Sequence, residues 1–133
     1  MPAKRKPGQP SEAAIQRTVV ELLEWDGWRA FRTEHAIERK ESGGFKRRVG
    51  EVGMPDYLFI RYTVYLGGDT WNWEGSETMS NVLWVEFKAL GEKPDKDQLA
   101  WHLAERNRGA LVLVVDSIEA FKAWYATNGL QRR

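Results

Sequence analysis

Six consecutive apolar residues, Ala110-Leu111-Val112-Leu113-Val114-Val115, run from Gly109 to Asp116. The run is too short for a membrane span. Its apolar side chains do not alternate with polar ones, so it reads as a strand buried on both faces. Such a strand belongs in a sheet with helices on either side. The flanking segments agree. Asp95 to Asn107 has the spacing of a helix, with Leu99, Ala100, Leu103 and Ala104 as its inner face and Arg108-Gly109 as its stop. Ser117 to Asn128 reads as another helix, anchored by Phe121, Trp124 and Tyr125.

Upstream, Ser11 is a good N-cap for a helix in which Ile15, Val19, Leu22 and Leu23 recur up to Trp25, ended by Asp26-Gly27. Trp28 to Arg32 resembles a short strand, and Ile37 to Gly53 a polar, basic loop. Pro55-Asp56 opens a β run from Tyr57 to Leu66. The stretch Gly67 to Asn81, with Trp71 and Trp73, is a hairpin or a long loop, and a second β run, Val82 to Lys88, follows it. The predicted order is helix, three strands, helix, strand, helix. Residues 11–128 form one α/β domain, between a flexible basic tail at 1–10 and a basic C-terminal tail at 129–133.

A chain of 133 residues holds one core and not two. Cysteine is absent, which excludes disulfides, thiolate zinc sites and a cysteine nucleophile, and makes a reducing cytosol the natural setting. No apolar run approaches the roughly 20 residues of a span, and no hydrophobic segment follows Met1-Pro2-Ala3-Lys4-Arg5-Lys6. A soluble cytoplasmic protein is expected. Net charge is only +1, but the basic residues are clustered. Arg32, Arg39, Lys40, Lys46, Arg47 and Arg48 could grip phosphates, or could simply keep loops solvated.

Three ionisable residues stand where strand chemistry does not call for them. Asp56 lies at the mouth of one apolar strand, and Glu86 and Lys88 at the end of another. Residues two apart in a strand share a face, so Glu86 and Lys88 project side by side while Phe87 points away. If the two strands pair antiparallel, Asp56 meets Glu86. Converging carboxylates repel unless a cation lies between them, and oxygen ligands with open positions suit Mg²⁺, with Mn²⁺ as substitute. Such a centre suits phosphodiester hydrolysis. The plain alternative is a same-face ion pair on an edge strand, with Asp56 capping a turn.

Gly53-Met54-Pro55-Asp56 and Val85-Glu86-Phe87-Lys88, followed by Gln98, resemble the G-x-PD, ExK and downstream glutamine of the PD-(D/E)XK nucleases, most nearly the VRR-NUC group. The resemblance extends from Ser11 to Tyr125, including the Ser11-Glu12 helix start and the Gly109-Ala110 junction. It implies a restriction-endonuclease-like αβββαβ core, a mixed sheet flanked by helices, plus a C-terminal helix. It also implies that Asp56 and Glu86 bind the metal, with Glu12 and the Phe87 carbonyl as further ligands, and that Lys88 serves the attacking water beside Gln98. By the same resemblance, the expected function is Mg²⁺-dependent DNA cleavage by a homodimer acting on branched DNA such as Holliday junctions. A flap, single-strand or restriction-like nuclease, or a non-catalytic nucleic-acid-binding module, could share the scaffold.

Glu12 shares the helical face of Ile15, Val19 and Leu23 and should face inward, although an acid in a first turn also suits the helix dipole. Gln98 could complete a capping box with Asp95 or lie beside Lys88, two roles expected to exclude each other. Lys96 and His102 read as solvated, and His35 as isolated. Of seven tryptophans, Trp25, Trp28, Trp84, Trp101 and Trp124 fit the core or its margin, whereas Trp71 and Trp73 fit an interface or base stacking.

Overall fold

The chain is described by a computed structural model over residues 8–33, 37–39, 45–47, 50–66 and 76–128. Helix α1 (Glu12–Trp25) begins where Ser11, in extended backbone, accepts the Ala14 N–H on its hydroxyl at 3.1 Å. Ile15, Val19 and Leu23, one turn apart, are its buried stripe. Gly27, at φ 90°, turns the chain into β1 (Arg29–Arg32). Two short strands, β2 (Ile37–Arg39) and β3 (Phe45–Arg47), pair antiparallel inside the segment expected to be a loop. Short strands in a polar, Gly-interrupted segment leave little apolar periodicity to read.

Strands β4 (Tyr57–Leu66) and β5 (Ser76–Phe87) form a long antiparallel hairpin, in register from Tyr57 opposite Val85 to Leu66 opposite Ser76. Of the stretch Gly67 to Asn81, residues 76–81 belong to β5, which starts six residues before the apolar run, and residues 67–75 lie outside the described residues. Trp71 and Trp73 lie outside the described residues, as do tail residues 1–7 and 129–133. Helix α2 (Lys96–Asn107) crosses over to β6 (Leu111–Val115), which lies parallel to β5, and α3 (Ile118–Thr127) closes the described chain. The main sheet runs β1-β4-β5-β6, antiparallel except for its last pair, so the protein is α/β with a four-stranded mixed sheet flanked by helices.

Helices α1 and α3 cover one face of the sheet. Their Ile15, Val19, Leu23, Phe121 and Tyr125 pack with Phe59, Leu83, Val85, Phe87 and Val115 into one core. At its margin the Tyr125 hydroxyl donates to Asp26 and accepts the Trp28 indole N–H at 2.8 Å, while Arg61 pairs with Asp26 at 3.0 Å. Burial and the bond to Asp26 push the Tyr125 phenol up to about 12. Helix α2 covers part of the opposite face, with Trp101 edge-on to Trp84 at 4.9 Å.

Several expectations fail here, beginning with the burial of the apolar run on both faces, since β6 lies at the edge of the main sheet and Leu111 is 42% exposed. The inner face of α2 is Trp101 and His102, buried, with Gln98 beside them, whereas Leu99 and Leu103 are 53% and 60% exposed and Ala100 and Ala104 face out with them. The helix is turned by what its polar residues bind rather than by its leucines. His102 is therefore not solvated, and neither ring nitrogen has a hydrogen-bond partner among the described residues. Burial, then Arg106 and Lys88, lower its pKa and hold it neutral. Trp25 is 93% exposed, because it is the last residue of α1 and the core stripe stops at Leu23. Trp28 and Trp101 are buried, and Trp84 and Trp124 half-buried, as expected.

Candidate active site

The β4–β5 register, continued by one residue, sets Asp56 opposite Glu86 at one end of the sheet. They are laced together: the Asp56 N–H donates to Glu86 Oε2 at 3.1 Å, and the Phe87 N–H donates to Asp56 Oδ2 at 3.1 Å. Thr33, just past β1, holds Pro55-Asp56 from the other side, its N–H donating to the Asp56 carbonyl at 2.9 Å and its hydroxyl to that of Pro55. Sequence reasoning passed over Thr33, and nothing local marks it.

Gly53 shows why a glycine precedes this turn. Its φ is +88°, and a Cβ there would come within 2.2 Å of the Asp97 carbonyl oxygen. The loop thus lies directly on the first turn of α2, where Asp95 caps the helix by accepting the Gln98 N–H at 2.9 Å. Glu51, also passed over, accepts the Trp101 indole N–H at 2.7 Å and pins the same loop one turn further on.

Gln98 fills both of its proposed roles. Its Oε1 accepts the Asp95 N–H at 2.9 Å, and its Nε2 donates to Glu86 Oε1. An amide has an acceptor end and a donor end, so one rotamer completes the capping box and steadies the carboxylate. Lys88 Nζ lies 3.6 Å from the same Glu86 oxygen, confirming the shared face. Yet β5 is an interior strand, between β4 and β6, and Glu86 is only 2% exposed. The edge-strand ion pair is therefore not what stands here.

Burial and the neighbouring Asp56 push the Glu86 carboxyl up to about 7, against the pull of Lys88 and the Asp56 N–H. Glu12, expected to face inward, is exposed at the head of α1. Helical phase aligns its Cβ with the buried stripe, but the first turn extends past the core. Its pKa is nevertheless raised, by partial burial, then by Asp56 and Glu92, with Lys88 opposing, so its carboxyl faces the charges of this end.

Comparison with protein-family models, curated proteins and solved structures gave no match. What the site can do follows from its own chemistry. Asp56, Glu86, Lys88, Gln98 and the Phe87 backbone are brought together, Phe87 through its N–H. Arg32 is exposed on β1, while Arg39, Lys46 and Arg47 lie on the separate β2–β3 ribbon. Lys40, Arg48 and His35 lie outside the described residues. No group of three or more acidic or histidine side chains poised to hold a metal occurs among the described residues. The raised Glu86 carboxyl reflects its burial first and the neighbouring Asp56 second. Two carboxylates leaving most positions to water and phosphate oxygens suit Mg²⁺ better than a closed protein cage would.

Proposed function

We propose that the chain is a Mg²⁺-dependent endonuclease on a restriction-endonuclease-like core, hydrolysing phosphodiester bonds in DNA. The observation that carries this is a nearly fully buried Glu86 on an interior strand, cross-bonded to Asp56. Burying one carboxylate against a second, half-buried one is costly, and a purely structural strand gains nothing from it. Asp56 and Glu86, with Glu12 as a further ligand through water, would hold a divalent ion, which would supply Lewis acidity and an activated water. Gln98 fixes the orientation of Glu86. Lys88, on the same face, donates toward the water or the phosphate and steadies the negative charge that develops there. Arg32, Arg39, Lys40, Lys46, Arg47 and Arg48 supply contacts to flanking phosphates.

Branched DNA cut by a homodimer is the substrate that the motif resemblance favours, since paired incisions require two centres. The deciding experiment incubates purified protein with labelled duplex, flap, splayed-arm and four-way substrates, with and without Mg²⁺. Metal-dependent cleavage that disappears in Asp56→Ala, with the fold retained, is the expected result. No cleavage of any substrate, together with unaltered folding and no metal effect on the wild type, would leave only a binding module.

A further inference from the structure

Directly opposed residues on neighbouring strands share a face of the sheet. From Asp56 and Glu86, that face runs back through Leu58 and Trp84, then Ile60 and Val82, to Tyr62 and Ser80. Strand β1 adds Phe31 beside Leu58 and Arg29 beside Ile60. Helix α2 covers only the β5–β6 half, through Trp101 on Trp84 and an Arg106 hydrogen bond to the Val112 carbonyl at 2.7 Å. Over the β1–β4 half no described helix lies. Tyr62 is 58% and Val82 39% exposed, Phe31, Leu58 and Ile60 are half-buried, and the Arg29 guanidinium stands 4.6 Å from the centroid of the Phe31 ring.

Beyond Asp56 and Glu86, the described residues of this face include a cation and no acid, and its aromatic rings start two residues from the carboxylates. That charge and composition match a polyanion with flat apolar bases rather than a second copy of the chain or an acidic peptide. In a duplex the bases are stacked on one another and cannot reach the rings; in an unpaired strand they can. From Asp56 to Tyr62 the face extends about 20 Å at strand rise, room for a few nucleotides.

We infer that the open β1–β4 face carries an unpaired polynucleotide strand leading from the catalytic carboxylates, its bases stacked on Tyr62 and on the Arg29 guanidinium that lies over the Phe31 ring, with the edge of that guanidinium toward the phosphates. The inference rests on the nuclease reading and adds to it a contact with nucleotides left unpaired beside the cut, as at an opened branch point. The test is fluorescence anisotropy of the full chain in Ca²⁺, in place of Mg²⁺, with labelled oligothymidylate and oligouridylate of about a dozen nucleotides and a blunt duplex of equal length. Tyr62→Ala and Arg29→Ala, both exposed and safe to substitute, should each weaken single-strand binding about tenfold, with the duplex changed less than twofold and Tyr62→Phe close to wild type. Phe31→Leu, which keeps the packing, should behave like Tyr62→Ala.

Equal losses on duplex and single strand, or none on either, would overturn the inference. So would a change in molecular mass by light scattering in Tyr62→Ala, which would make the face a contact between copies. Cleavage in Mg²⁺ is scored separately on the wild type, so a failure of the nuclease reading is distinguishable from a failure of this one.

Discussion

Glu86 is buried where ionisation is costly, and on the nuclease reading it must ionise to receive a cation. Its carboxyl titrates near 7 in the folded chain against 4.5 ordinarily. Between those values the native state binds more protons than the unfolded one, so the stability of the metal-free protein should fall as pH rises from about 4.5 to 7 and level off above. A shift of that size corresponds to at most about 3 kcal/mol. Urea titrations of metal-free protein across this range read it directly. Glu86→Gln should remove most of the slope and raise stability at pH 7 while abolishing Mg²⁺ binding by calorimetry and cleavage together. A slope that survives in Glu86→Gln would assign the titration elsewhere. Lys88 carries the opposite expectation. Lys88→Ala should lower turnover by about two orders of magnitude or more, with binding of uncut DNA in Ca²⁺ little altered. Normal turnover with a large binding loss would make Lys88 a phosphate anchor.

At the scale of elements, the sequence shows most where local chemistry and tertiary need coincide. Ser11 caps α1 and Ile15, Val19 and Leu23 set its buried stripe, as their types and spacing imply. Asp56 meets Glu86 because two β runs joined by a short connection pair antiparallel. Helix α2 is different. Its leucine and alanine stripe points to solvent because Gln98 must reach Glu86, Trp101 must reach Trp84 and Glu51, and His102 goes inside with them. A polar inner face chosen by a site cannot be found from apolar periodicity. Gly53 is where loop and helix are coupled. Gly53→Ala should cost about 1–3 kcal/mol, since the new methyl is strained at positive φ and strikes the Asp97 carbonyl. Because the displaced turn carries Gln98, activity should fall further than the stability loss explains. A Gly53→Ala protein with unchanged melting temperature and turnover would show that the close approach relaxes freely. On the far side of the sheet, Tyr125→Phe should cost about 1–3 kcal/mol at neutral pH, because it removes the hydroxyl shared by Asp26 and the Trp28 indole and loosens α3 from the end of α1.

For the whole molecule, the exposed stripe of α2 bears on assembly. No described helix is long and apolar enough to cross a membrane, so a lipid surface spanned by such a helix does not account for it. Leu99 and Leu103 lie one turn apart with Ala100 and Ala104 beside them, the alternation of large and small that lets two helices approach closely. The first turn of α2 is acidic at Asp97 and its last turn basic at Arg106, so an antiparallel pair of α2 helices about a two-fold axis sets opposite charges side by side. In that arrangement the two Gln98 residues, each hydrogen-bonded to its own Glu86, flank the axis about 9 Å apart along the helices. On the nuclease reading, that places two centres within one assembly. Light scattering at micromolar concentration should find a dimer in the wild type and a monomer in Leu103→Glu, with the melting temperature of the diluted protein almost unchanged because Leu103 contributes little to the monomer's own core. The variant should also lose coordinated incision of a four-way junction while still nicking it. A wild-type monomer that cuts both strands in concert, or a dimer that persists in Leu103→Glu, would exclude α2 as the contact and with it this placing of the two centres.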